Sequence, residues 1–276
     1  MPELPEVETI ARDLRPRLVG ATLSGIRVHK SDVLRGVTRA AFRRALEGRS
    51  VASVGRRAKH LVILLDDGNR LVIQPRMTGS MTVERHDGTD PYAVIEADLS
   101  TGGRLRYRDV RRLGAVHLLT PEAWSRYTAR IGPEPLERSF TPERLAEALA
   151  GGGGRLAVKK ALMDQRRLAG VGNIYANEAL WRARLDPSRS ARTIGPAEVR
   201  RLHRALVAIL RSAIRRRGTT VRDYRTGTGE AGQFQERLDV YGRAGQGCRR
   251  CGPRHRIALT HAIDQRATYF CPGCQH

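Results

Sequence analysis

The chain has 276 residues, 40% of them hydrophobic, which is enough for one large core or two modest ones, and its helix and strand signals change along its length, so two folded domains are expected. Fifty basic against 28 acidic residues give a formal charge of +22 and a pI near 11.2; a GC-rich coding bias explains arginine over lysine but not basic over acidic, and nucleic acid is the polyanion that fits. The opening MPELPEVETIARDLRPRL lacks the apolar run of a signal peptide and no apolar stretch long enough for a bilayer occurs, so the reading is a soluble, cytosolic protein with no membrane partner.

Pro5 suits a first helical turn, and Val7, Ile10, Ala11 and Leu14 share one face until Pro16, which is expected to end this short amphipathic helix. From Gly20 the runs ATLSGIRVH, SVASVG, KHLVILLDDG, RLVIQP, SMTVERHDG, YAVIEADLS, RLRYRDV and GAVHLL are short, β-rich and broken by turn residues. They predict an antiparallel sandwich or barrel, interrupted early by the helical TRAAFRRALEG. Around IGPEPLERSFTPERLAEALAGGGG the texture changes to prolines, a short helix from near Thr141 and a tetraglycine, which marks a domain boundary. Beyond it LAVKKALMD, NIYANEALWRARL and EVRRLHRALVAILRSAIRRR read as helices, the last with Leu202, Leu206, Ile209, Leu210, Ala213 and Ile214 on a helical period. After Gly218 come the glycine-rich RTGTGEAGQF and a cysteine module. The expected division is 1–133, 134–238 and 239–276.

All four cysteines form two hooks, CRRC at Cys248 and Cys251 and CPGC at Cys271 and Cys274. In a reducing compartment disulfides explain them poorly, whereas the spacing fits one tetrahedral zinc ion, structural because no ligand position is left open for water. The zinc should hold a small β-hairpin whose Arg254, His255, Arg256, His261 and Arg266 address phosphates. In RLAGVGNIYANEALW, Gly170 and Gly172 allow an unusual turn, Asn173 is expected to cap a helix beginning at Ile174, and amides at such a start bind anions. A glycine turn between packed helices is the plainer alternative.

At the N-terminus a small second residue permits removal of Met1, leaving Pro2 as a secondary amine with an ordinary pKa of about 7.7–8.0. Such an amine attacking a sugar C1′ gives an iminium that acidifies the C2′ proton, with Glu3 and Glu6 beside it as acid and base. The same residues also make an ordinary helix start with acids suited to its dipole, and chemistry alone favours that plainer reading. Lysine is scarce: Lys30, Lys59, Lys159 and Lys160 are the whole set, so Lys59 and Lys159 stand out as amines that arginine would not replace, or as ordinary solvated cations.

Taken in order, PELPEVET, QPRMTGS, DVRRLG, GVGNIYANEAL, VYGR and the paired CxxC hooks resemble the formamidopyrimidine-DNA glycosylase family, the bacterial 8-oxoguanine repair enzymes, over essentially the whole chain. The related endonuclease VIII branch usually departs from the PELPEVET opening. The resemblance implies an α+β fold: an N-terminal antiparallel β-sandwich with flanking helices, then a helix-two-turns-helix domain and a zinc-finger β-hairpin, with DNA in the cleft between. It implies a bifunctional glycosylase and AP lyase of base excision repair, acting as a monomer on double-stranded DNA with an oxidised base, in a bacterial cytoplasm at the nucleoid, with one structural Zn2+ and no redox cofactor.

By the same resemblance Pro2 is the nucleophile, Glu3 protonates the sugar ring oxygen and Glu6 supports the site. Lys59, Asn173 and Arg266 grip phosphates flanking the lesion, and Lys159 lies near the damaged nucleotide. The flipped nucleotide leaves a hole filled by Met77 and Arg111, the arginine facing the orphaned cytosine. The family's third filler is a phenylalanine; Leu113 stands there, able to wedge but not to stack. Residues 219–234 correspond to a loop covering the everted base, a lid closing on substrate, with Arg222 where a lysine is often found. Two rival readings are an oxidised-pyrimidine glycosylase of the endonuclease VIII type and a non-catalytic zinc-ribbon DNA-binding protein.

Overall fold

The computed structural model describes residues 1–84, 88–151 and 156–276. The end of the SMTVERHDG run, Arg85 to Asp87, and the tetraglycine's Gly152 to Gly154 lie outside the described residues. The chain divides into two compact units, Met1–Ala129 with Arg216–Gln235, and Arg130–Arg215 with Glu236–His276. Among the described residues no helix is long and apolar enough to cross a membrane.

The first unit opens with α1 (Leu4–Leu18), whose start is fixed by a reciprocal capping box between Glu3 and Glu6 and by Pro5 in the first turn. Val7, Ile10, Ala11 and Leu14 are fully buried, as their spacing predicts. Pro16 does not end the helix: it sits in the last turn, where it removes one N–H and Val19 still bonds back to Arg15. Next come β1 (Leu23–Val28), β2 (Leu34–Arg35), α2 (Arg39–Leu46), β3 (Val51–Arg57), β4 (His60–Leu65), β5 (Arg70–Gln74), β6 (Gly79–Glu84), β7 (Ala93–Leu99), β8 (Arg104–Asp109) and β9 (Ala115–Leu119). They form a four-stranded sheet, β1-β7-β8-β6, and a five-stranded sheet, β2-β9-β5-β4-β3, antiparallel except for the β2–β9 pair. One core joins both sheets to α1 and α2, from Leu14 and Phe42 to Ile73, Leu105 and Tyr107. The expected α+β sandwich is therefore present, and α3 (Pro121–Thr128) follows it.

The second unit carries α4 (Pro142–Ala150), capped by Thr141, then α5 (Val158–Met163), α6 (Asn173–Ala183) and α7 (Pro196–Arg215). All six apolar residues read as the face of α7 are buried. Helix α6 begins one residue earlier than expected: Gly172, with extended backbone, is the N-cap, and Asn173 is already helical. The cysteine module contains two small hairpins rather than one, β10 (Gly247–Cys248) with β11 (Gly252–Arg256) and β12 (Ala258–Thr260) with β13 (Thr268–Phe270).

Candidate functional site

Pro2 and Glu3 sit at the head of α1, both buried. The Glu3 amide donates to Glu6 Oε2 at 2.8 Å, and Glu6 Oε1 accepts the Thr219 amide at 2.8 Å. Glu6, 1% exposed, thus ties the start of the helix to the segment around Thr219. Gly218 at that junction has φ +81°, and a Cβ there would lie 2.9 Å from Glu6 Oε1, so only glycine fits. Two turns further along α1, Asp13 accepts both Arg217 nitrogens at 3.1 and 2.9 Å and the Gly227 amide at 3.0 Å. Tyr224 drops into the core and its hydroxyl donates to the Glu6 and Arg217 carbonyls. Burial, with the charges of Glu6 and Asp13, pushes that phenol well above its ordinary pKa, so it remains a donor. Arg222 is exposed at the far side of this loop.

Lys59 occupies the two-residue turn between β3 and β4, beside Ala58 at φ +52°. The turn is clamped by Arg56 Nη1 on the Ala58 carbonyl at 2.8 Å and by His60 Nδ1 on the Arg57 carbonyl at 3.1 Å. A ring nitrogen facing a carbonyl must carry the proton, so His60 Nε2 accepts the Tyr127 hydroxyl at 3.0 Å. Burial holds the His60 pKa down at about 4, which keeps this bridge neutral.

Met77, Val110 and Leu113 are large apolar side chains left 42, 43 and 39% exposed, and Arg111 between them is exposed too. What aims them is Asp109, 1% exposed. It accepts the Thr78 hydroxyl on one oxygen and, on the other, the Gly114 amide at 2.8 Å and the Tyr107 hydroxyl at 3.2 Å. Thr78 in turn accepts the Arg111 amide at 3.1 Å, so the Met77 and Arg111–Leu113 loops hang on one carboxylate. Thr78, Tyr107 and Asp109, which sequence reasoning missed, hold these loops together. Their one visible signal is their place inside the QPRMTGS and DVRRLG stretches.

In the second unit Asn173, half-buried, donates its amide to the Ala267 carbonyl at 3.0 Å. Lys159 has no exposed surface at all and bonds Asp264 at 3.2 Å and Thr268 Oγ1 at 2.7 Å, whereas Arg266 is exposed. Glu178, also missed, accepts the consecutive amides of Asp239, Val240 and Tyr241 at 2.8–2.9 Å and so shapes the VYGR turn.

The four cysteine Sγ atoms lie within 4.8 Å of one another, with Cys248–Cys274 at 4.0 Å and Cys251–Cys271 at 3.8 Å. A tetrahedron with metal–sulfur bonds of about 2.3 Å has edges of about 3.8 Å, so the cluster has the size for one metal ion. Trp181 Nε1 and the Arg250 amide each donate to Cys248 Sγ at 3.4 Å, and Arg250 Nη1 donates to Cys274 Sγ at 3.3 Å while its guanidinium stacks 4.2 Å from the Trp181 ring centre. Burial opposes charge on Cys248, but these donors and the Cys251 amide more than offset it and bring the thiol down to about 6.

Family models described as the formamidopyrimidine-DNA glycosylase N-terminal domain and H2TH domain match residues 1–116 and 131–225. Curated relatives named formamidopyrimidine-DNA glycosylase include that of Chloroflexus aurantiacus, 43% identical over 100% of this chain and 98% of the relative, and that of Thermomicrobium roseum, 44% identical over 100% and 99%. Among solved structures, a Lactococcus lactis Fpg mutant complexed with Fapy-dG-containing DNA superposes with a TM-score of 0.91 at 31% identity, covering 100% of both chains. The MutM (Fpg) protein of Thermus thermophilus gives 0.87 at 38% identity, covering 99% of this chain and 98% of that one. With models over most of its length and relatives matched from end to end, this chain belongs to the formamidopyrimidine-DNA glycosylase family.

Proposed function

We propose that this protein is a bifunctional DNA glycosylase and AP lyase of base excision repair that removes oxidised purines, 8-oxoguanine and formamidopyrimidines, from double-stranded DNA, acting as a monomer in the bacterial cytoplasm. Pro2 is amide-bonded while Met1 is present, so the chemistry starts once Met1 is removed. The Pro2 nitrogen then attacks C1′ and the C1′–base bond breaks, the base leaving with the proton that the amine sheds; Glu3 protonates the ring oxygen, the C1′–O4′ bond breaks, and the opened sugar is held as an iminium on Pro2. Loss of the C2′ proton from the iminium expels the 3′ phosphate, and a second elimination expels the 5′ phosphate, leaving a one-nucleotide gap. Lys59, Asn173 and Arg266 grip the flanking phosphates; Met77, Arg111 and Leu113 fill the vacated stack; and the 219–234 loop with Arg222 covers the everted base. Segments 1–133, 134–238 and 239–276 serve as catalytic, DNA-binding and finger parts. Cys248, Cys251, Cys271 and Cys274 hold one structural Zn2+, which supplies fold rather than chemistry.

The observation that carries this reading is the start of α1, where Pro2 and the 3% exposed Glu3 are buried, and where Glu6 accepts both the Glu3 amide and the Thr219 amide. Borohydride added during reaction with an 8-oxoguanine duplex should trap a covalent protein–DNA complex. Pro2→Gly, and protein retaining Met1, should trap far less. Equal trapping by all three forms rejects Pro2, and faster cleavage of thymine glycol than of 8-oxoguanine assigns the pyrimidine-lesion branch instead.

A further inference from the structure

An ammonium with no exposed surface is stable only when its protons are taken up by acceptors nearby, so the partners of Lys159 state what it is for. They include Asp264 Oδ1 at 3.2 Å and Thr268 Oγ1 at 2.7 Å, on either side of exposed Arg266. The same two side chains hold the Arg266 backbone. Asp264 Oδ1 accepts the Arg266 amide at 3.1 Å, and the Thr268 hydroxyl donates to the Arg266 carbonyl at 3.3 Å. Gln265 just before it takes a left-handed φ of +61°, a conformation that needs external support in a non-glycine residue. Helix α6 adds Asn173 on the Ala267 carbonyl and Asn177 Oδ1 accepting the Tyr269 amide at 2.8 Å.

We infer that Lys159 is a positioning residue: from inside α5 it clasps Asp264 and Thr268, and through them fixes the backbone from which Arg266 reaches a DNA phosphate. A solvated cation would add to phosphate binding by its own charge; this one has no exposed surface and acts on phosphate through Arg266. The inference rests on the phosphate role proposed above for Arg266.

The test uses the full-length, zinc-loaded protein and a duplex containing a tetrahydrofuran abasic analogue, with affinity measured across salt concentrations. Lys159→Met should weaken binding roughly tenfold and lower the salt slope by about one, as loss of a single phosphate contact does. Arg266→Ala should do the same, and the double variant should be no worse than Arg266→Ala alone. Thr268→Val should reproduce part of the loss and Thr268→Ser should restore it, a rescue that general loss of folding does not give. Amide exchange of residues 264–268 should rise in Lys159→Met at full zinc content. Losses that add in the double variant, or unchanged exchange in the metallated Lys159→Met protein, overturn the clasp. If Arg266→Ala itself leaves the slope unchanged, the phosphate role of Arg266 fails, and the exchange measurement decides the clasp by itself.

Discussion

The Met1–Ala129 unit and the cysteine module at Gly247–His276 hold their functional side chains still by different means. In the first, two sheets and two helices share a core running from Val7 to Tyr107, and carboxylates such as Glu6, Asp13 and Asp109 then pin loops to that frame through backbone amides. In the second, the apolar cluster is small, with Trp181, Val240 and Ile257 around the cysteines, and polar reach from the helices does the rest through Lys159, Asn173 and Glu178. A large core makes shape cheap to maintain and leaves acids free to aim loops. Where apolar area is scarce, sulfur ligation and charged clasps must supply the shape itself.

Metal removal is the severest challenge to that contrast, since binding of structural zinc contributes about 10 kcal/mol or more in small metal-folded modules. Chelation should unfold the module, read as a change in Trp181 fluorescence because that indole touches Cys248, and abolish DNA binding. The first unit should keep its own melting transition. Full DNA affinity in protein proven metal-free would put the two regions on the same footing and end the comparison.

Acid should act on the first unit instead. The folded His60 pKa of about 4 lies below the unfolded value of 6.5, so its contribution is complete above pH 6.5 and is lost as pH falls towards 4. The loss approaches about 3 kcal/mol, an order-of-magnitude figure for a group 8% exposed. His60→Gln should flatten this part of the stability profile, measured by urea unfolding from pH 7 to 4. An unchanged slope would mean that His60 is not buried as a neutral ring.

Smaller again is Asp109→Asn. The carboxylate accepts three donors, and the amide turns one acceptor into a donor facing another, at a cost of about 1–3 kcal/mol. The 110–114 loop should loosen, seen as faster amide exchange at Gly114, with the zinc content untouched. Exchange as slow as in the parent would remove Asp109 as the organiser of these loops.

What could be read ahead of the structure follows the same physics. The long strands and α7 were legible because burial imposes a period on their residues, and the cysteine hooks because chelation needs local spacing. Strand β2 has two residues and α3 buries none, so neither leaves a period to find. Lys59 and Lys159 stood out by scarcity, yet sequence carries charge and not burial, so nothing in it showed that Lys159 has no exposed surface. Asp109 and Glu178 read only as charges, and Glu6 as an acid or base beside Pro2 whose own anchor stayed unseen. Glu6 and Glu178 take amides distant in sequence, Thr219 and Val240, and no local pattern encodes such a pairing.

The smallest effect is expected where the two kinds of support leave a side chain alone. Leu113 is 39% exposed at the tip of a loop that Asp109 shapes from below, so the tip contributes little to holding the fold. Leu113→Phe should therefore leave the melting temperature within error. Its ring would add stacking against an unpaired base, worth about 0.5–1.5 kcal/mol, so binding to a tetrahydrofuran-containing duplex should tighten by up to roughly tenfold. The sign matters more than the size. Tighter binding with unchanged stability means that the loop's shape comes from the buried carboxylate and its reach from the exposed residue, two separable properties. A fall in stability instead would show that Leu113 packs as part of the frame, and the division between supporting acids and free tips would not hold in this unit.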